Sequence, residues 1–291
     1  MFSATDPLIQ RVLAIMPDLH IEQLERNDEG LINDVLIVNK KLVFRFAKTD
    51  EYARLMGIEM KILDLIRPRI GIDVPTPVYR SSDCMVYPLL SGGPLSRKTV
   101  MGFDKSTQNK IAEQLGSFLY SLHTTDVSNL DWELPSTRAP VQRHRWLDIW
   151  ERVKEKIYPL LMKYQVEWAD DLFKSVLENP ESDRYTPALI HGDLASYHIL
   201  FDDHEPKITG VIDFGMGGLG DPASDIGNLI NTYGETFIGM MRVSYPRLEE
   251  CLPRARFYAQ LLELEWVLLG FETGETFWFT AHLGGARDIL S

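Results

Sequence analysis

The run Leu189-Ile190-His191-Gly192-Asp193, continued by Ser196-Tyr197-His198-Ile199-Leu200-Phe201 and then by Val211-Ile212-Asp213-Phe214-Gly215, decides how the rest of the chain is read. Each apolar run has the composition of a short buried strand, and each is followed by polar residues. Pairing 199–202 with 207–212 across the turn at His204-Glu205-Pro206 makes a hairpin, so that His198 and Asp213 emerge at the same open end. Asp193 lies a few residues earlier, on the same rim. The connectivity therefore gathers two carboxylates and an imidazole beside one cleft.

That grouping suits phosphoryl transfer. One carboxylate accepts a hydrogen bond from an attacking hydroxyl, and another oxygen ligand holds Mg²⁺ against the β- and γ-phosphates. Asp193 fits the first role and Asp213 the second. Either aspartate alone reads as a turn or strand-end residue; the pair, at this spacing and after apolar strands, reads as a catalytic site.

Outward from this stretch the chain divides in character. On the N-terminal side, residues 6–18 read as a short helix, and Val35–Val38 and Lys41–Phe46 as strands joined at Asn39-Lys40. Met56, Met60 and Leu63 mark one face of a helix over 51–66, which Pro68 and Pro75 end. Met85–Leu90 is another strand-like run, broken by Ser91-Gly92-Gly93-Pro94. Beyond it Ile111, Leu115, Phe118, Leu119 and Leu122 follow helical spacing. Two more amphipathic helices are expected over 145–180, short β runs at Ala188–Ile190, Ile199–Phe201 and Ile208–Ile212, and helix again from Pro222. The expected domains are residues 1–90, a β-rich lobe with a hinge at about 87–93, and residues 94–291, a helical lobe with a small sheet.

His191-Gly192-Asp193 with His198 five positions after the aspartate, then Ile212-Asp213-Phe214-Gly215, resembles the catalytic and metal-binding loops of eukaryotic-like kinases. The Gly after the His, and Gly220-Asp221-Pro222 with Asp225, look like the aminoglycoside phosphotransferase family. His198 stands where most such chains carry a metal-binding Asn, a feature similar to the 2″-type aminoglycoside and macrolide 2′-phosphotransferases. The resemblance implies an α+β, protein-kinase-like bilobal fold with a β-rich N-lobe and a mainly helical C-lobe, and an enzyme that uses Mg²⁺ and GTP or ATP. An imidazole is a softer ligand than an amide oxygen. His198 is therefore left as a direct ligand, a ligand through water, or a hydrogen-bonding group. Asp221 before Pro222 is a strong helix start, and Asp225 sits in that helix's first turn. In the family this pair braces the catalytic loop, and His191 would orient it.

In the N-terminal segment Phe44-Arg45-Phe46-Ala47-Lys48 resembles the strand that presents a phosphate-binding lysine. Alternation sets Arg45 on the face opposite Phe44 and Phe46, toward the cleft if those two pack outward. Either Arg45 replaces the lysine, since a guanidinium grips phosphate oxygens bidentately, or Lys48 compensates. Glu59 is the candidate helix partner. Tyr87-Pro88-Leu89-Leu90 resembles the hinge that reads the nucleotide base. Tyr87 sits at the gate, and because Pro88 has no N–H the base contacts fall to Leu89, Leu90 or carbonyls. Glu29-Gly30 is at most the start of a phosphate-covering loop.

Composition bounds the partners. The 291 residues are 45% hydrophobic and 25% charged, ordinary globular values, and the formal net charge of −12 disfavours nucleic acid and anionic membrane. The two cysteines, Cys84 and Cys251, form no CxxC pair, so neither zinc nor a disulfide framework is expected. The N-terminus lacks the features of a signal peptide, and no apolar run approaches the ~18 residues of a membrane span. A cytoplasmic monomer acting on a nucleotide and a small-molecule alcohol is expected. Glu235, Asp170, Asp171, Glu263, Glu265, Glu272 and Glu275 offer charge to an aminoglycoside. Trp266, Phe271, Phe277 and Trp278 would instead wall a macrolide, and a metabolic sugar or amino-alcohol kinase is a further alternative. So is a nucleotide-binding module without activity, for which His198 and Arg45 are the relevant departures. A protein kinase is disfavoured, because Gly220-Asp221-Pro222 follows Asp213 too closely for a long activation loop.

Overall fold

The computed structural model describes residues 6–27, 32–202 and 204–274. Glu29-Gly30, Glu275, Phe277 and Trp278 lie outside the described residues. The chain forms two units, one of residues 1–68 and 73–91, the other of residues 69–72 and 92–291.

In the first unit α1 (Pro7–Ile15) starts on the Asp6 side chain, which accepts the Leu8 N–H at 2.8 Å, with Pro7 at the first helical position. The strands are β1 (Leu24–Asn27), β2 (Asn33–Val38), β3 (Leu42–Ala47), β4 (Tyr79–Arg80) and β5 (Cys84–Pro88). They build one antiparallel sheet in the order β1-β2-β3-β5-β4. The β2–β3 turn takes left-handed φ at Asn39 (55°) and Lys40 (52°). Asn39 suits it, because its side-chain oxygen accepts the Glu22 and Gln23 N–H groups at 2.8 and 2.9 Å and ties the turn to the chain before β1. Leu36, Val38, Phe44, Phe46, Cys84 and Val86 share one sheet face and pack with Val12 of α1. The other face carries Val43, Arg45, Met85 and Tyr87, paired as Val43↔Tyr87 and Arg45↔Met85. Helix α2 (Asp50–Ile66) is capped by Thr49 and has Asp50 and Glu51 in its first turn, where the dipole favours negative charge.

The second unit is mainly helical. It holds β6 (Gly93–Pro94), α3 (Arg97–Gly102), α4 (Lys105–His123), α5 (Arg143–Lys156), α6 (Lys163–Leu177), β7 (Ala188–Ile190), β8 (Ile199–Asp202), β9 (Lys207–Val211) and β10 (Gly218–Gly220). Then come α7 (Pro222–Tyr233), α8 (Glu235–Ile238) and α9 (Leu248–Thr273). Ile111, Leu115, Phe118, Leu119 and Leu122 of α4 are buried, as their spacing required. The β8–β9 hairpin forms with Ile199↔Val211 at its open end and a register shift at Leu200/Phe201. Helix α7 is capped by Asp221 with Pro222 next to it. It lies so close to α9 that a Cβ on Gly227 would come within 2.6 Å of the Tyr258 Cβ.

Strand boundaries moved by a residue or two from the sequence reading. The Met85–Leu90 run is strand from Cys84 to Pro88, and the first helix stops at Ile15. Strands β1, β4, β6 and β10 escaped the reading, being four residues or fewer and lacking an apolar run. The architecture is the bilobal, kinase-like one that the resemblance implied, with an antiparallel sheet in the first unit and helices dominating the second.

Candidate active site

Strand β7 delivers His191, Gly192 and Asp193 into a loop held from below by Asp225 of α7. The Asp225 carboxylate is fully buried and accepts the N–H groups of His191 and Gly192, each at 2.8 Å. Its Oδ2 also faces His123 Nε2 at 3.1 Å, and His123 Nδ1 meets the Tyr245 hydroxyl at 2.8 Å. Burial works to raise the Asp225 pKa; the His123 hydrogen bond and the charges around it outweigh that and hold it lowered. This explains a charged side chain at zero exposure: every donor it needs is built in. His123 closes the buried face of α4, and its role could not be read from helical spacing.

The tautomer of His191 follows from its partners. His191 Nδ1 accepts the Asp193 N–H at 3.2 Å, so the ring proton is on Nε2, which donates to the Ile212 carbonyl at 3.0 Å. Burial drives the His191 pKa down to about 4, so the ring stays neutral. His191 thereby ties the Asp193 loop to the residue before Asp213. His198 Nδ1 donates to the Asp193 main-chain carbonyl at 2.8 Å. Its Nε2 lies 3.6 Å from Asp213 Oδ2. The Asp193 carboxylate lies 3.7 Å from the same ring.

Burial raises the Asp193 pKa to about 6; the His198 ring opposes the rise, and Asp213 and Asp225 add to it. About a third of the Asp193 side chain is exposed, which leaves its oxygens reachable. Asp213 adopts φ 65°, an uncommon conformation for a residue with a Cβ, and its Oδ1 receives the Gly215 N–H at 3.4 Å. The strain is tolerated because Ile212 N–H is bonded to the His198 carbonyl at 2.9 Å and Gly217 N–H to the Phe214 carbonyl at 2.9 Å.

Among the described residues no three or more His, Cys, Asp or Glu side chains cluster as a metal site. The atoms at hand are the Asp213 carboxylate and His198 Nε2, 3.6 Å apart. Two donors suit a cation that arrives with phosphate oxygens completing its shell, which is the usual habit of Mg²⁺.

In the first unit the Arg45 guanidinium meets Glu59 Oε1 of α2 at 2.7 Å, with both side chains buried. Lys48 lies exposed just past the strand. Tyr87 is buried on the same sheet face as Arg45. The Leu89 N–H is bonded to the Lys41 carbonyl at 2.7 Å.

The acidic residues separate sharply. Glu235 is buried and gripped by both arms of Arg256 at 2.9 and 2.7 Å, which corrects its reading as a charge open to substrate. Asp170 accepts from Tyr158, Glu272 pairs with Arg152 and Lys156, and Glu263 accepts from Asn231. Glu265 of α9 is different. Burial raises its pKa to about 7; Arg145 and Arg152 oppose the rise, and the Asp193 charge adds to it. Of the aromatic residues, Trp266 is half-buried and Phe271 is 48% exposed.

Residues 23–277 match the profile of the phosphotransferase enzyme family, and the chain belongs to that family. It is a small-molecule kinase. The viomycin phosphotransferase of Streptomyces vinaceus is 28% identical over 226 residues, covering 72% of this chain and 74% of its own length. The solved GDP and kanamycin complex of APH(2″)-IIia superposes with a TM-score of 0.83 at 25% identity, covering 95% of both chains. A macrolide 2′-phosphotransferase type I shares the fold, with a TM-score of 0.71 at 22% identity, over 99% of this chain and all of that one. No helix among the described residues is long and apolar enough to cross a membrane.

Proposed function

We propose that this protein transfers the γ-phosphoryl group of GTP or ATP to a hydroxyl of an aminoglycoside. The observation that carries the reading is the placement of the Asp193 and Asp213 carboxylates on opposite sides of the His198 ring, at 3.7 and 3.6 Å. Asp193 accepts the hydrogen bond of the attacking hydroxyl and takes its proton as the new P–O bond forms and the bond to the leaving nucleoside diphosphate breaks. Asp213 and His198 would hold Mg²⁺, which neutralises charge on the transferring phosphates. Asp225, His123 and His191 keep the loop rigid, so that little reorganisation accompanies transfer. Arg45, fixed by Glu59, binds nucleotide phosphate, and Tyr87, Leu89 and Leu90 border the base.

Glu265 supports the aminoglycoside as acceptor. A partly buried carboxyl with a raised pKa gains most from an ammonium group, which stabilises its charged form. The likeness to a kanamycin-bound relative over 95% of both chains points the same way. A screen of kanamycin and other aminoglycosides, macrolides and small alcohols, each with GTP and with ATP, tests the reading by mass of the product. Addition of one phosphoryl group to an aminoglycoside, abolished by Asp193→Asn, is expected. Transfer to macrolides or small alcohols alone would replace the substrate assignment; nucleotide binding with no transfer would leave an inactive module.

A further inference from the structure

Thr137 lies on the segment between α4 and α5, away from every motif discussed above, yet it touches both loops of the site. Its hydroxyl donates to the Met216 carbonyl at 2.7 Å, three residues after Asp213, and accepts the Ala139 N–H at 3.1 Å. Its own N–H donates to the Leu219 carbonyl at 2.9 Å, and Leu219 returns a bond to the Pro135 carbonyl at 2.8 Å. Strand β10 is thus bonded to β7 on one edge and bridged at Ser136↔Leu219 on the other. On its far side Thr137 packs against the catalytic loop. Gly192 has φ 81°, and a Cβ there would come within 2.7 Å of the Met216 carbonyl and 2.9 Å of Thr137 Oγ1. A Cβ on Gly220 would come within 2.6 Å of Thr137 Cγ2. The side chain is buried and both of its branches are in contact.

We infer that Thr137 is a positioning residue that fixes the Asp193 loop relative to the Asp213 loop through the Met216 carbonyl. The inference rests on the reading of Asp193 and Asp213 as the reacting pair. Gly192 and Met216 each neighbour one of those carboxylates closely in sequence, and Thr137 Oγ1 is where the two backbones meet. The segment after Asp213 is bonded on both edges. Spacing between base and metal ligand therefore depends on a residue that touches no substrate, and an error of 1 Å in such spacing costs up to about 10²-fold in rate.

Hydrogen exchange read by mass spectrometry on the full chain tests this without requiring turnover. Thr137→Val keeps the shape and removes the hydroxyl; Thr137→Ser keeps the hydroxyl. T137V should speed exchange in residues 191–194 and 214–219 together, while T137S stays near wild type. Under nucleotide saturation T137V should lower kcat by about tenfold and leave the nucleotide KM within about twofold, a split that general loosening would not give. Faster exchange confined to 214–219 would overturn the inference, as would a T137S as impaired as T137V. Should T137V fail to fold, Thr137→Ala is read in its place. If wild type turns over no acceptor, the functional reading falls, and joint or separate exchange of the two loops still decides the role of Thr137.

Discussion

His198 Nδ1 donates to the main-chain carbonyl of Asp193 at 2.8 Å, and its Nε2 lies 3.6 Å from Asp213 Oδ2. One imidazole thereby lies between the loops that carry the two carboxylates, and in the proposed reaction it would share a cation with Asp213. Asp213→Asn should raise the Mg²⁺ concentration needed for half-maximal rate sharply and cut turnover. His198→Asn should be tolerated, because an amide oxygen is a competent hard ligand at that place. Mg²⁺ titrations of both variants decide it; equal damage from the two would assign the imidazole a specific role.

In the proposed reaction Asp193 must lose its proton before transfer, and burial raises its pKa to about 6. The kcat/KM profile should therefore fall on the acid side of about pH 6, with Asp193 carrying that limb. Asp193→Ala should lower kcat by ~10²-fold or more while nucleotide affinity stays nearly intact. Wild-type turnover in that variant would remove Asp193 from the mechanism.

His191 is buried neutral, with a pKa of about 4 against 6.5 in the open chain. Between those values the unfolded chain binds the proton and the native chain does not. This stabilisation is complete above pH 6.5 and fades as the pH falls toward 4, by on the order of 3 kcal/mol at full extent. Asp193 and Glu265, with raised values, work in the opposite direction over the same range, so the wild-type curve is a partial cancellation. The difference in urea midpoints between wild type and His191→Asn, measured from pH 7.5 to 4.5, isolates the histidine. It should shrink as the pH falls; a constant difference would contradict the linkage.

Arg45 and Glu59 form a buried pair, so removing one partner strands the other charge. Glu59→Ala should destabilise the fold by about 3–5 kcal/mol and raise the nucleotide KM. Arg45→Lys should keep the charge and lose the fork that grips phosphate. Thermal melts with nucleotide titrations separate the two effects. An unchanged nucleotide KM in both variants would leave the pair a purely structural one.

Tyr87 is buried on the Arg45 face of the sheet, and in the proposed function its ring would border the purine. Adenine and guanine present different hydrogen-bond edges, and a buried donor or acceptor left unpaired costs about 1–3 kcal/mol. GTP should support a higher kcat/KM than ATP, and Tyr87→Ala should improve ATP use more than GTP use. An ATP preference that Tyr87→Ala does not change would show that the ring takes no part in choosing the purine.

Local sequence determined a good deal by itself. The apolar runs beside Asp193, His198 and Asp213 placed the β8–β9 hairpin and its open end, because a short turn between two β runs pairs Ile199 with Val211. Asp221-Pro222 started α7 by capping chemistry alone. What only the tertiary structure decided is which distant groups meet. His123, Tyr245 and Thr137 are ordinary residues in ordinary local patterns, and strand β10 is three residues with two glycines. They matter because packing sets the buried Asp225 carboxylate and the Met216 carbonyl where each must find donors. Likewise Glu235 and Glu265 read alike in sequence. Arg256 neutralises one, and desolvation near Asp193 raises the pKa of the other, since the cost of a charge is fixed by surroundings that no local pattern contains.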